Sequence, residues 1–569
     1  MSPHESQRTP TLTAASDAAV FVARIFAETQ ADTSAPVEVV QSAPQATDES
    51  GLPVFDGSAA EAPLEPLLGQ NILVLGLGVS GLAMARWCVQ TGAACVTVAD
   101  TRAAPPQLAT LQQELAQVRF VAGAFHAGLV EGQGLQAVYC SPGLSPDAIA
   151  PVVNAARAAG VPVGGELNLF AMALQALRSA RGYAPAVLAV TGTNGKTTVT
   201  SLTGQLFTDA GKTVAVAGNI GPTLLATLSQ RLAANALPEV WVLELSSFQL
   251  DGVTGFEPTA AVVLNITQDH LDWHGSMEAY VAAKARIFGQ QGLMVLNRDD
   301  ARVMDMLPEP VRAKLQRPVV RAHVTFGSDM PQRPGDFGLE EVNGMVWLVR
   351  ALEADETRRK RKDAQDELHI QRLMPADALR IRGRHNATNA LAALALCAAA
   401  GCSLAPILFG LREYRGEPHR VEPIGILNEV EFFDDSKGTN VGATVAALQG
   451  LGADRRVIVI LGGEGKGQDF SPLAAPLSRY ARAAVLIGRD APLIRQAIGE
   501  VGIPVVDADS MESAVALANQ RAHAGDAVLM SPACASFDMF DNYEHRAHVF
   551  CQAVKNLALA AGVDMETGV

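Results

Sequence analysis

The chain is expected to be an α/β protein of three domains, and three stretches set that expectation. Asn71–Leu75 followed by Gly76-Leu77-Gly78-Val79-Ser80-Gly81 opens a strand–turn–helix unit near residue 70. Ala186–Val190 followed by Thr191-Gly192-Thr193-Asn194-Gly195-Lys196-Thr197-Thr198 repeats the arrangement in the middle of the chain. The apolar runs Val457–Leu461, Ala484–Ile487 and Ala527–Met530, separated by helical spacers, imply a third parallel sheet. The expected divisions are a disordered extension at 1–66, a Rossmann-like domain at 67–165, a central P-loop ATPase domain at 166–416 and a C-terminal Rossmann-like α/β domain at 417–569.

Composition narrows the class. At 569 residues the chain is too long for one core. A net charge of −15 argues against a broad nucleic-acid surface, while leaving room for a local basic pocket. The 7 cysteines are scattered with no Cys-x-x-Cys, which suits a reducing compartment and gives no zinc site. No apolar run is long enough to span a membrane, so a cytoplasmic enzyme without membrane insertion is expected.

The segment before Leu67 is rich in Ala, Ser, Pro, Thr and acids, with one short helix expected around Ser16–Glu28. In the first unit, a helix is expected over Leu82–Gly92, and the strand Cys95–Ala99 ends at Asp100. A glycine turn followed by an acid at the next strand end suits a nicotinamide dinucleotide, but the same turn can hold any diphosphate. Ser141-Pro142-Gly143 follows another strand end, where such sheets bind ligands.

The central unit carries the phosphate loop. Its glycines let backbone approach an anion, amides at the helix start point to it, and Lys196 adds a charge. Thr197 offers a hydroxyl to magnesium, and Val190 stands where the common pattern has its first glycine. Two buried strands, Val240–Glu244 and Ala261–Thr267, lead to Glu244 and to Asp269-His270. Parallel strands deliver such groups to one edge, where they can hold a metal beside a nucleotide. By pattern alone Lys284 is a solvated helix lysine, and Arg358-Arg359-Lys360-Arg361-Lys362 among acids is an exposed loop. Gly383–Asn389 opens an Ala/Leu-rich helix, Ala390–Ala400, as an N-cap or as a nucleotide contact.

The C-terminal unit has polar clusters at Pro418-His419-Arg420, Asp434–Asn440, Gly462–Lys466 and Ser531–Asp538. Cys534 has no base placed for it and is expected to be packed.

A Rossmann-like unit, the loop Thr191–Thr197 and a third α/β unit, in that order, resemble the Mur ligases of peptidoglycan synthesis, from about Leu67 to the C-terminus. Glu244-Leu245-Ser246-Ser247-Phe248-Gln249-Leu250, Asp269-His270, Asp435-Ser436-Lys437 and Ser531–Ser536 are similar to the D-glutamate-adding members. The Asp-Asn-Pro-Arg of the diaminopimelate-adding relatives is missing. The resemblance implies ATP-dependent amide synthesis with Mg2+, acting on UDP-N-acetylmuramoyl-L-alanine and D-glutamate, by a monomer. Lys196, His270 and Lys284 are then catalytic, and Thr197, Glu244, His270 and Lys284 hold metal, Lys284 as a carbamate.

On the same resemblance ATP meets Gly192, Thr193, Asn194, Gly195, Lys196, Thr197, Thr198, Asn386, Asn389, Arg420 and Asp435. The UDP-sugar meets Val79, Ser80, Asp100, Thr101, Arg102, Ser141 and Asn219, so the first glycine turn holds UDP and not a nicotinamide. D-Glutamate meets Lys437, Thr439, Lys466, Ser536 and Phe537. Asp434, Gly438 and Tyr543 depart from the commoner Asn, Ala and Phe. The nucleotide and amino-acid sites are expected on different domains, assembled by closure. Competing readings are a sibling or folylpolyglutamate-synthase-like ligase, a non-catalytic UDP-sugar-binding regulator, and a dehydrogenase, which leaves the phosphate loop unexplained.

Overall fold

The computed structural model describes residues 64–310, 320–353, 368–453 and 455–563. The extension before Leu64, with its expected helix, and the basic run at 358–362 lie outside the described residues.

The first sheet is parallel, in the order β3-β2-β1-β4-β5, from β1 (Asn71–Leu75), β2 (Cys95–Asp100), β3 (Arg119–Ala122), β4 (Ala137–Cys140) and β5 (Val163–Gly164). The chain reverses direction of growth between β1 and β4, so the turns after both open into one crevice. The helix after β1 spans Val79–Gln90, starting three residues before the expected Leu82. Close packing explains the turn: a Cβ on Gly81 would strike the Gly76 carbonyl, and one on Gly76 would meet Ser141.

The second sheet, also parallel, has the order β11-β10-β9-β6-β8-β7. Its strands are β6 (Ala186–Thr191), β7 (Val214–Gly218), β8 (Val240–Glu244), β9 (Ala260–Val263), β10 (Leu293–Asn297) and β11 (His323–Phe326). β6 lies between β8 and β9, which puts the phosphate loop at the reversal point of this sheet too. The strand expected to reach Thr267 stops at Val263, and the freed Leu264–Thr267 backbone serves the phosphate loop instead. An antiparallel sheet of β12 (Phe337–Val342), β13 (Met345–Glu353) and β14 (Leu368–Pro375) covers part of this domain and was not foreseen from sequence.

The third sheet runs β15-β16-β20-β17-β18-β19: β15 (Glu422–Leu427), β16 (Val430–Asp434), β17 (Val457–Gly462), β18 (Ala481–Ile487), β19 (Val505–Asp507) and β20 (Ala527–Met530). Only β15 is antiparallel, an edge hairpin on β16. β20 inserts between β16 and β17, so the loops after these three strands meet at one edge.

One hydrophobic core runs from the first domain into the second, joining Trp87, Phe170 and Trp241. The rings of Phe170 and Trp241 meet edge-on, 5.1 Å apart. The far face of the central sheet packs on helices Lys196–Asp209 and Arg384–Ala399. The C-terminal sheet has separate cores on its two faces.

Candidate active site

The phosphate loop is held from below. The Asn194 amide donates to Asn265 Oδ1 at 2.8 Å, and Asn265 Nδ2 returns a bond to the Asn194 carbonyl at 3.1 Å. Thr193 Oγ1 accepts from the Thr267 amide at 3.0 Å and lies 3.0 Å from the Tyr280 hydroxyl. Gly195 has φ +84° and a Cβ there would lie 2.9 Å from Asn389 Oδ1, so only glycine lets the loop pass beneath that helix. Lys196 Nζ donates to the carbonyls of Gly192 (3.0 Å) and Thr193 (2.8 Å). Burial lowers its pKa below the usual value, and the charge of Glu244 opposes that shift.

Glu244 ends β8, which pairs directly with β6, and lies opposite Val190 just before the loop. It is buried, its Oε1 accepts from Asn219 Nδ2 at 2.7 Å, and its Oε2 has no hydrogen-bond partner. A buried carboxylate oxygen left without a donor is suited to a cation. Lys284, expected by pattern to be solvated, is instead 1% exposed. Its ammonium donates to the Gly192 carbonyl at 2.9 Å and Thr191 Oγ1 at 3.3 Å, and sits 4.8 Å from the centre of the Tyr280 ring. Burial first, and the charge of Lys196 second, hold its pKa well below the usual lysine value.

His270 completes the group from a left-handed backbone position (φ 53°), with its ring 4.7 Å from that of Phe248. Burial lowers its pKa, opposed by Asp269 and aided by the charges of Lys196 and Lys284. Lys196, Glu244, His270 and Lys284 therefore share one electrostatic environment at the edge of the sheet. The donor set, two buried anionic or neutralisable groups and an imidazole beside a hydroxyl, fits a divalent cation such as Mg2+.

The C-terminal domain reaches across to this edge. Arg420 Nη2 donates to Thr197 Oγ1 at 2.7 Å, and the side chains of Asn440 and Asn194 bond at 3.0 Å. Between the two domains lies a pocket lined by Asn194, Gly195, Thr198, Asn386, Asn389, Arg420 and Asp435. Asn386 and Asn389 sit inside helix Arg384–Ala399, whose N-cap is Gly383, so the N-cap reading of these asparagines is replaced. Asp435 is buried, accepts from Ser531 Oγ at 2.6 Å, and burial pushes its pKa up to about 7. Gly438 makes room for it: a Cβ there would lie 2.5 Å from Asp435 Oδ2.

The expected amino-acid loops also converge. Backbone bonds of 2.9 Å in both directions between Glu464 and Ala535 join the loops of Lys466 and Ser536. Lys466 Nζ lies 5.5 Å from the centre of the exposed Phe537 ring. Thr439 shares the Asp435–Asn440 turn, its amide donating to the Lys437 carbonyl at 2.9 Å. Lys437 Nζ donates to the Tyr543 hydroxyl at 3.1 Å while lining the interdomain pocket, so it stands between that pocket and the expected amino-acid loops. Cys534 is fully buried, as expected.

In the first domain, Val79 and Thr101 are exposed and Ser80 is half-buried at the helix start. Ser141 Oγ donates to the Gly76 carbonyl at 3.1 Å. Asp100 is buried and tied into the turn. Its oxygens accept from the Leu77 amide (2.7 Å) and from Arg102 Nε and Nη2 (2.8 Å each). Arg102 accordingly lowers the Asp100 pKa to about 2. Asn219 lies at the central-domain side, bound to Glu244. Sequence reasoning missed Tyr280 and Asn265 as supports of the loop; the Tyr280–Lys284 spacing of one helical turn was the available signal.

Three domain families match in order: the MurD-like N-terminal domain of Mur ligases at residues 70–165, the Mur ligase middle domain at 190–397, and the Mur ligase glutamate ligase domain at 419–534. The chain is 71% identical over 503 residues to a UDP-N-acetylmuramoylalanine--D-glutamate ligase of Albidiferax ferrireducens, covering 88% of this chain and 99% of that one. It is 60% identical to the protein of that name from Polaromonas sp., covering 87% and 99%, and 56% identical to that of Burkholderia mallei, covering 87% and 98%. A MurF ligase from Thermotoga maritima in complex with ADP shares the fold, with a TM-score of 0.51 at 16% identity over 87% of this chain and 98% of that chain. The three domains, matched in order along most of its length, make this chain a member of the Mur ligase family.

Proposed function

We propose that the chain is an ADP-forming ligase that joins D-glutamate to UDP-N-acetylmuramoyl-L-alanine, as a cytoplasmic monomer. The observation that carries the reading is the grouping of buried Glu244 and Lys284 with Lys196 and His270 at the phosphate loop, with Arg420 closing on Thr197 from the domain of the amino-acid loops. High identity to relatives bearing that ligase name supports the choice of substrates. No helix among the described residues is long and apolar enough to cross a membrane.

A carboxylate is a poor electrophile. In the proposed reaction the alanyl carboxylate oxygen attacks the γ-phosphorus of ATP; an O–P bond forms and the bond to ADP breaks. The D-glutamate amine then attacks the acyl carbon, the tetrahedral intermediate expels phosphate, and the amine loses a proton. Positioning and charge neutralisation do most of the work in such a transfer. Lys196 supplies a charge at the phosphates, and the loop amides orient them. Mg2+, when bound, neutralises the transferring phosphoryl group; Thr197, Glu244, His270 and Lys284 are the residues that would hold it. His270, its pKa lowered by burial, stays neutral near pH 7 and keeps a free lone pair.

Carbamate formation on Lys284 requires the neutral amine, and an ordinary lysine is only about one part in 1,000 neutral near pH 7. Burial and Lys196 favour the neutral form here. Carbon dioxide then adds to Nζ with loss of a proton, giving an anion beside Glu244. At the amino-acid loops, Lys466, Thr439 and Ser536 supply a cation and two hydroxyls for the carboxylates of D-glutamate.

Phosphate release from ATP and Mg2+ with UDP-N-acetylmuramoyl-L-alanine tests the reading. Release that depends on D-glutamate and not on L-glutamate, with a new UDP-linked product, is expected. Release without that dependence overturns the choice of substrate.

A further inference from the structure

Glu166 is the first residue of helix Glu166–Arg181 and lies where the first domain passes into the second. It is 3% exposed. Its Oε1 accepts from the Leu225 amide at 2.9 Å, in the first turn of helix Leu224–Ala233. The hydroxyls of Thr223 and Ser80 and the amide of Leu224 lie beside the carboxyl group and favour its charged form. Oε2 is buried with no hydrogen-bond partner. No catalytic step above uses this group, and it was not singled out by any motif.

Its neighbours give it a meaning. Ser80 belongs to the first turn of helix Val79–Gln90, whose N-cap Gly78 provides no side-chain cap, so the amides of that turn face the glycine crevice. Thr223 ends the turn Gly218–Pro222, closed by a 2.9 Å bond from the Gly218 amide to the Pro222 carbonyl. That turn carries Asn219, which holds Glu244. A single buried carboxyl group thus lies between Ser80, at the diphosphate-type turn of one domain, and Thr223 and Leu225, just past the metal-side turn of the next.

We propose that Glu166 is a positioning residue that sets the register between these two turns, so that a substrate anchored by its UDP end presents its carboxylate to the Glu244–Lys284 cluster. The inference rests on the reading of the chain as a ligase of a UDP-linked substrate. An ångström of misplacement between anchor and reacting centre is enough to cost a large share of the rate. The carboxylate suits the task because Oε1 accepts from the Leu225 amide while the Ser80 hydroxyl stands beside the same carboxyl group, and its burial leaves water no means of taking the place of either neighbour.

The test compares Glu166→Ala, Glu166→Leu and Glu166→Gln with wild type. Leu keeps the buried volume, so the test survives if the Ala cavity prevents folding. Gln keeps the acceptor for Leu225. For Ala and Leu the KM for UDP-N-acetylmuramoyl-L-alanine is expected to rise about tenfold or more, with the KM values for ATP and D-glutamate within about twofold. Gln is expected to restore the UDP-substrate KM to within about threefold. Calorimetric binding of the UDP-substrate without ATP should follow the same order. Equal changes in all three KM values, a lowered Tm with unchanged KM, or failure of Gln to rescue would each overturn the proposal. A wild-type enzyme without D-glutamate-dependent turnover would instead overturn the underlying functional reading.

Discussion

The Lys284 ammonium donates to the carbonyl of Gly192, a residue of the phosphate loop, at 2.9 Å. The two are 92 positions apart in sequence. The contact places the amine that is proposed to take up carbon dioxide directly against the loop that would hold ATP. It also explains the depressed pKa, since the amine is removed from water and faces the charge of Lys196.

Replacing Lys284 with Ala removes that amine and its carbamate. Activity is expected to fall on the order of 100-fold or more, the scale of losing one aimed electrostatic group. Short carboxylic acids added to Lys284→Ala are expected to restore part of it by placing an anion in the same space. Turnover measured across a panel of acids checks this, and no rescue by any of them counts against the carbamate.

Asn219 donates to one oxygen of Glu244 and leaves the other without a partner. Asn219→Ala should therefore leave ATP binding intact but loosen the carboxylate. The Mg2+ concentration for half-maximal activity is expected to rise about 10-fold or more, as when an orienting partner of a metal ligand is removed. Glu244→Gln should cost more, because it removes the charge itself. Titrating Mg2+ at saturating ATP checks both; unchanged Mg2+ curves would show that Glu244 does not serve the metal.

Arg420 crosses from the third domain to the Thr197 hydroxyl at 2.7 Å. Arg420→Ala is expected to raise the KM for ATP roughly tenfold, the scale of one charge-assisted hydrogen bond. Thr197→Val removes the other side of the same contact. If the contact works as a unit, the double substitution costs less than the two single losses combined. Additive losses in that cycle would mean that the two residues act separately.

Much of this architecture was legible because its signals are local. Glycine at Gly76, Gly81, Gly192 and Gly195 is required where a Cβ would meet Ser141, the Gly76 carbonyl, Leu264 or Asn389, and such needs appear directly in sequence. Apolar runs marked the parallel strands for the same reason. The role of Tyr280 was not legible, because its bond to Thr193 arises only when helix Met277–Ala285 packs beneath the loop. Lys284 looked solvated for a related reason: helical spacing cannot tell which face will be covered. The sheet β12–β14 escaped because its pairing is set by contacts with its neighbours more than by any strong alternation. Glu166 has no motif at all; its position matters only once two domains meet.

Glu166 also predicts a pH dependence. Burial raises its pKa from 4.5 to about 7 in the folded chain. The folded state then favours the proton more strongly than the unfolded chain does. The stabilising contribution is complete below pH 4.5 and is lost as pH rises through about 7. The shift corresponds to about 3 kcal/mol, an order-of-magnitude figure. Glu166→Gln cannot ionise and should lack this loss. Its Tm relative to wild type is therefore expected to climb between pH 5 and pH 8, even though its UDP-substrate KM stays near the wild-type value. Thermal melts across that range check the expectation. A Tm difference that stays flat with pH would mean that Glu166 is ionised throughout, held by the two helix starts and the hydroxyls of Ser80 and Thr223 more strongly than burial opposes it.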